Sequence, residues 1–70
     1  MGNRKRIMVN TRIMMYDFLP DNFENEEQEV YLGYGRYIKA KPRNIRYSDM
    51  LKLYLVTYTW TPSMIYTKIK

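Results

Sequence analysis

Seventy residues carry twelve Lys or Arg against seven Asp or Glu, a formal net charge of +5, and contain neither cysteine nor histidine. Disulfide frameworks, cysteine-ligated zinc sites, Ser-His-Asp triads and HExxH metal sites are therefore excluded. The length allows a single small domain over 1–70, and a chain this short buries only about 60% of its unfolded surface, so without disulfides or metal it leans on association for stability.

The first periodic segment is Lys5–Tyr16. Its odd positions are Ile7, Val9, Thr11, Ile13 and Met15, and its even positions are Arg6, Met8, Asn10, Arg12 and Met14. Alternation at period two predicts a half-buried strand whose apolar face is the odd one. Leu19-Pro20-Asp21-Asn22 ends it, because proline cannot donate to a ladder and Asp and Asn favour turns. An acidic loop is expected at about 17–29, holding Asp17, Asp21, Glu24, Glu26, Glu27 and Glu29 without one Lys or Arg. Asp21 and Glu24 have the spacing of a capping box, which permits a helical turn near Phe23 within a solvated loop.

A second strand is predicted from Glu29 to Lys41. Its even positions, Val30, Leu32, Tyr34, Arg36, Ile38 and Ala40, read as the core face. Its odd positions, including Tyr31, Tyr37, Lys39 and Lys41, read as an exposed basic-aromatic face. Gly33 and Gly35 signal a bulge or a close backbone approach. Residues 32–39 partly echo the octamer of RNA-recognition motifs, but Leu32 stands at its basic position and Arg36 interrupts its aromatics, so no family is assigned. Lys41-Pro42-Arg43-Asn44 predicts a turn.

Ile45-Arg46-Tyr47 is a short extended piece, and Ser48 has the chemistry to cap one helical turn over Asp49–Lys52. Leu53–Trp60 is the strongest strand signal, rich in β-branched and aromatic residues and apolar on both faces, as in a central strand. Thr61-Pro62-Ser63 turns the chain, and Met64–Lys70 reads as a last strand whose terminal lysines suit a protected edge. The fold expected is mainly β, a small antiparallel meander or barrel of about four strands. The alternative is α+β, with one short helix near 48–54.

Catalytic chemistry has little to work with. A general base near neutral pH would have to be a strongly perturbed Glu, Asp, Lys or Tyr, and carboxylates in a solvated loop keep ordinary pKa values. Neither serine begins an SxxK pattern. No enzyme, cofactor or metal site is expected; the acidic residues offer oxygen ligands, but their spacing matches no EF-hand.

Binding is the expected role, and charge is arranged for it in blocks. Residues 1–12 are purely basic, 13–35 purely acidic, and 36–70 basic apart from Asp49. One candidate surface for a protein partner or nucleic acid combines Tyr31, Tyr37, Lys39 and Lys41 with Arg43, Arg46 and the N-terminal Arg4, Lys5 and Arg6. There, cations would neutralise phosphates and rings would stack on bases. Asp21, Glu24, Glu26, Glu27 and Glu29 form a candidate acidic interaction loop. Tyr, Trp, Met and Arg are enriched at interface centres and total 21 residues here, more than so small a core can bury.

Residues with AT-rich codons (Phe, Tyr, Met, Ile, Asn and Lys) make up 33 of the 70, which points to an AT-rich genome such as a low-GC bacterium or its phages. The function expected is a small non-enzymatic protein-binding module, an anti-defence type of phage or mobile-element inhibitor directed at a larger host protein. The alternative is a basic β-sheet nucleic-acid binder. A homodimer is expected in either case. No apolar run approaches the ~20 residues of a membrane span, and a cytoplasmic location is expected, in the host cytoplasm for a phage protein.

Overall fold

The computed structural model describes residues 8–68. Among the described residues there are six strands: β1 (Asn10–Tyr16), β2 (Gln28–Gly33), β3 (Arg36–Ala40), β4 (Asn44–Ser48), β5 (Leu53–Trp60) and β6 (Tyr66–Thr67). They form two antiparallel three-stranded sheets, sheet A in the order β1-β5-β4 and sheet B in the order β2-β3-β6. The protein is mainly β, with single 3-10 turns at Phe23–Asn25 and Pro62–Met64. The expected small antiparallel, mainly β fold is what forms; its strands number six among the described residues, against about four expected, and β1 pairs with β5 and β3 with β6, so sequence neighbours are not always sheet neighbours.

The core lies between the sheets. Val30 and Leu32 from β2, Ile38 and Ala40 from β3, and Val56, Tyr58 and Trp60 from β5 are buried together with Phe23. Each strand sends alternate residues to one face, and the even positions of all three strands point inward. Full burial of an Ile or Val side chain is worth about 1.5–3 kcal/mol, so Ile38 and Val56, both fully buried, anchor one sheet to the other. As the sequence anticipates, β5 is the central strand of sheet A.

Strand β1 departs from its prediction. Met14 pairs with Val56 and Tyr16 with Tyr54, which puts the even face inward, while Ile13 and Met15 are exposed. The face of an edge strand is set by its pairing register, because a shift of one residue exchanges the two faces. Residues 5–7 of the predicted strand lie outside the described residues.

The predicted strand over 29–41 is instead a hairpin. Gly33 pairs with Arg36 across the two-residue loop Tyr34-Gly35, and the register slips between Tyr31 and Gly33. Tyr34 has φ 55° and Gly35 φ 74°, both positive as a type I′ turn requires. Val30, Leu32, Ile38 and Ala40 hold the core positions assigned to them, but Tyr34 is at the loop tip and Arg36 is exposed. The partial RNA-recognition octamer fails for the same reason, since its Gly-Tyr-Gly core is this turn rather than a strand.

No helix forms near 48–54, so the α+β alternative is corrected. The Ser48 side chain accepts a hydrogen bond from the Leu51 amide at 3.1 Å, and the Lys52 amide donates to the Ser48 carbonyl at 2.7 Å. This closes the β4–β5 hairpin, helped by Lys52 at φ 60°. The acidic loop is shorter than expected, because Gln28 and Glu29 already belong to β2. Asn22 rather than Asp21 precedes its 3-10 turn, and no side-chain cap forms. Phe23 ties the loop down, buried with its ring edge-on to Tyr16 at 5.4 Å. The predicted start of the last strand at Met64 belongs to the 3-10 turn Pro62–Met64, β6 is Tyr66–Thr67, and residues 69–70 of the predicted strand lie outside the described residues.

Candidate functional site

The outer face of sheet B carries the basic-aromatic residues. Tyr31 pairs with Tyr37, and Tyr37 with Tyr66, so three rings run across the sheet with centroids 5.1 and 5.9 Å apart. Lys39 stands opposite Glu29 in the same face. The Lys68 ammonium sits 4.7 Å from the Tyr37 ring centroid and 2.8 Å from the Glu29 carboxylate. The Tyr66 hydroxyl donates to the other Glu29 oxygen at 2.5 Å.

Glu29 is the hub of this face. Hydrogen bonds from Lys68 and then Tyr66 hold its carboxyl below the usual value. The same bonds act in reverse on the donors, pushing Tyr66 up to about 12 and raising Lys68. The face is therefore not a run of free cations, since its central carboxylate already engages one lysine and one hydroxyl.

The remaining basic candidates are divided. Lys41 and Arg43 are exposed in the connection that carries the chain from sheet B to sheet A, where the Arg43 amide donates to the Thr57 carbonyl at 2.7 Å. Arg46 pairs with Leu55, which puts it on the outer face of sheet A, away from the tyrosines. Arg4, Lys5 and Arg6 lie outside the described residues. Of the acidic candidates, Asp21, Glu24, Glu26 and Glu27 are exposed in the connection between β1 and β2, and Glu29 joins the tyrosine face.

Sheet A has a second outer face, which sequence reading missed. Met15, Leu55 and Arg46 form one cross-strand row, and Ile13, Thr57 and Asn44 the next. Leu53 flanks these rows opposite Ser48, and Thr11 pairs with Thr59. Ile13 is 58% exposed and Met15 59%. The result is an apolar centre of Ile13, Met15, Leu53 and Leu55 with a rim of threonine, asparagine, serine and Arg46. The odd-face alternation of β1 was the signal for it, read as core.

Inside the sandwich, the fully buried Tyr58 has its hydroxyl 3.1 Å from that of Tyr16. Burial and this hydrogen bond raise the Tyr58 pKa well above the usual phenol value. Among the described residues, no three acidic side chains gather as a metal site, and no helix is long and apolar enough to cross a membrane. No protein-family model matches the chain, and neither the curated proteins nor the solved structures searched give a significant match.

Proposed function

We propose that this chain is a small non-enzymatic protein-binding module that docks the outer face of sheet A on a larger protein and acts by occluding it. The observation that carries this reading is the apolar centre of Ile13, Met15, Leu53 and Leu55 inside a polar rim. Interfaces have that anatomy, and a monomeric surface seldom keeps such residues contiguous. The form we propose for it is a phage or mobile-element inhibitor of a host system, on the strength of its small size, AT-rich coding and lack of catalytic groups. A second copy of the chain is one protein this face accepts, and homodimerisation remains part of the proposal.

The nucleic-acid alternative has less support. Its cations are shared between opposite faces of the sandwich, and a carboxylate stands among the tyrosines meant to stack on bases. Phosphate binding gains from each cation that meets the backbone and loses where a fixed carboxylate faces it.

The test is a pull-down from host lysate with the unaltered chain and with Ile13→Lys. A stoichiometric protein recovered by the first and lost by the second supports the reading. Recovery of no such protein, or its retention by the variant, overturns it. Sedimentation at micromolar concentration decides whether a second copy occupies the face.

A further inference from the structure

Where β1 begins and β5 finishes, the two sheets part around a cleft of about 280 Å3. Its apolar lining is Leu32, Trp60 and Ile65, and its polar lining is Arg12 and Arg36 with Asn10 and Thr11. Among the described residues, no acidic side chain lines it. Both arginines are steadied by backbone: Arg12 Nη1 donates to the Tyr31 carbonyl at 3.3 Å, and Arg36 Nε to the Gly33 carbonyl at 3.2 Å.

Each guanidinium has five N–H donors, so each keeps most of them after that bond. Neither is in an ion pair among the described residues, where Lys68 and Glu29 form the salt bridge. Carbonyl anchoring fixes the long side chains without neutralising them. Two such forks, one from β1 of sheet A and one from β3 of sheet B, line the same cleft and are suited to a tetrahedral oxyanion, which accepts parallel N–H bonds from arginine.

We propose that this cleft binds a small phosphate monoester, with its phosphate held by Arg12 and Arg36 and its organic part against Trp60, Leu32 and Ile65. Two guanidiniums balance a phosphate dianion, whereas a lone carboxylate would leave one of them unmatched. The Asn10 amide, on the same face of β1 as Arg12, adds neutral donors. The volume sits at the lower end of ligand pockets, which begin near about 300 Å3, so the organic part is small, on the scale of a single ring. This site is separate from the docking face, because it opens between the sheets and its arginines belong to neither row of Ile13 nor of Met15. Arg12 and Arg36 are themselves charges on the faces of β1 and β3 that otherwise supply the core; the alternation shows this for Arg36, and the pairing of β1 with β5 shows it for Arg12.

Trp60 is the sole tryptophan of the chain and lines the cleft, so it reports occupancy directly. The experiment titrates the full chain at low salt with phenyl phosphate while following tryptophan fluorescence. Inorganic phosphate, benzoate and a single-stranded oligonucleotide serve as parallel arms. Phenyl phosphate is expected to give a saturable change, with weaker binding by inorganic phosphate and weaker still by benzoate. Arg12→Gln and Arg36→Gln should each weaken phenyl phosphate about tenfold or more, as loss of a charged hydrogen bond does. Arg12→Lys and Arg36→Lys keep the charge and remove the fork, and a partial loss there separates ligand binding from any effect on folding.

No saturable change, or unaltered affinity in the Gln variants, overturns the site. Benzoate binding as tightly as phenyl phosphate overturns the assignment to phosphate. An oligonucleotide that binds more tightly than phenyl phosphate and is lost in the same variants overturns the small ligand in favour of nucleic-acid phosphate.

Discussion

Ile13→Lys and Met14→Lys alter adjacent residues and are expected to have opposite consequences. Ile13 stands opposite Thr57 on the outer face of sheet A, and Met14 stands opposite the fully buried Val56. Complete burial of an isoleucine side chain stabilises by about 1.5–3 kcal/mol. Ile13 remains 58% exposed, so it collects less than half of this, and its loss costs about 1 kcal/mol or less. A lysine there lays its stem along the sheet and keeps its ammonium in water. At position 14 the ammonium would be drawn against Val56, which also pairs with the partly buried Ile45. Lost packing and desolvation together cost about 2–4 kcal/mol there. For a domain this size each kcal/mol moves Tm by about 4–8 °C. Ile13→Lys should therefore lower Tm by about 8 °C at most, and Met14→Lys by about 8–32 °C. Thermal and urea unfolding followed by circular dichroism measure both. If Ile13→Lys unfolds the chain while Met14→Lys is tolerated, β1 is paired one residue out of register, and the docking face built on Ile13 and Met15 does not exist.

The Tyr16–Tyr58 hydroxyl pair should respond unequally to deletion. Tyr16→Phe leaves the buried Tyr58 hydroxyl without its partner, at about 1–3 kcal/mol, whereas Tyr58→Phe removes the buried group and costs about 0.5–1.5 kcal/mol; urea unfolding that ranks them the other way refutes the assignment. Tyr34→Asn converts the hairpin loop to Asn-Gly, which suits two positive φ values, and should raise the denaturation midpoint by about 0.5 kcal/mol in stability after loss of the weak Arg36 contact to the ring; a lowered midpoint argues against a type I′ turn. The Glu29 cluster should hold β6 on β3 over a defined pH window. Glu29 is lowered from its ordinary value of 4.5, so its contribution is present above that pH and fades as pH falls through the depressed value. Tyr66 and Lys68 are raised, so theirs is present below about pH 10 and fades as pH rises through the raised values. Amide exchange at Tyr66 and Thr67 should quicken at both limits, and Glu29→Gln should abolish the acid limb; an unchanged acid limb in that variant contradicts the assignment.

Much of the fold is written locally. The β-branched and aromatic run of β5 marks a central strand by composition, and Val30, Leu32, Ile38 and Ala40 reach the core from a simple alternation. The hairpin between β2 and β3 was harder to read, because Tyr34 in a left-handed conformation runs against its intrinsic preference and keeps the alternation unbroken through the turn. Ser48 was recognised as a cap, but its oxygen serves an amide in a hairpin loop, since four residues between two strong strands leave no length for a helix. In the candidate surfaces, Tyr31, Tyr37 and Lys39 share a face because period two keeps them together. Glu29 shares that face by the same period, whereas Tyr66 and Lys68 reach it through pairing across 37 or more residues of sequence, which no local pattern encodes.

Residue identities alone exclude thiol and imidazole side-chain chemistry, divide the charge into blocks, and set the strand period of each segment. Those properties depend on residue identity and near neighbours alone. Tertiary structure decided how the charge blocks meet: Glu29 is drawn into the basic-aromatic face and Arg46 is turned to the opposite side. It also decided which face of β1 is buried, because alternation supplies two faces and only the partner strand chooses between them. The exposed Ile13 and Met15 are thereby placed on the outer face of sheet A.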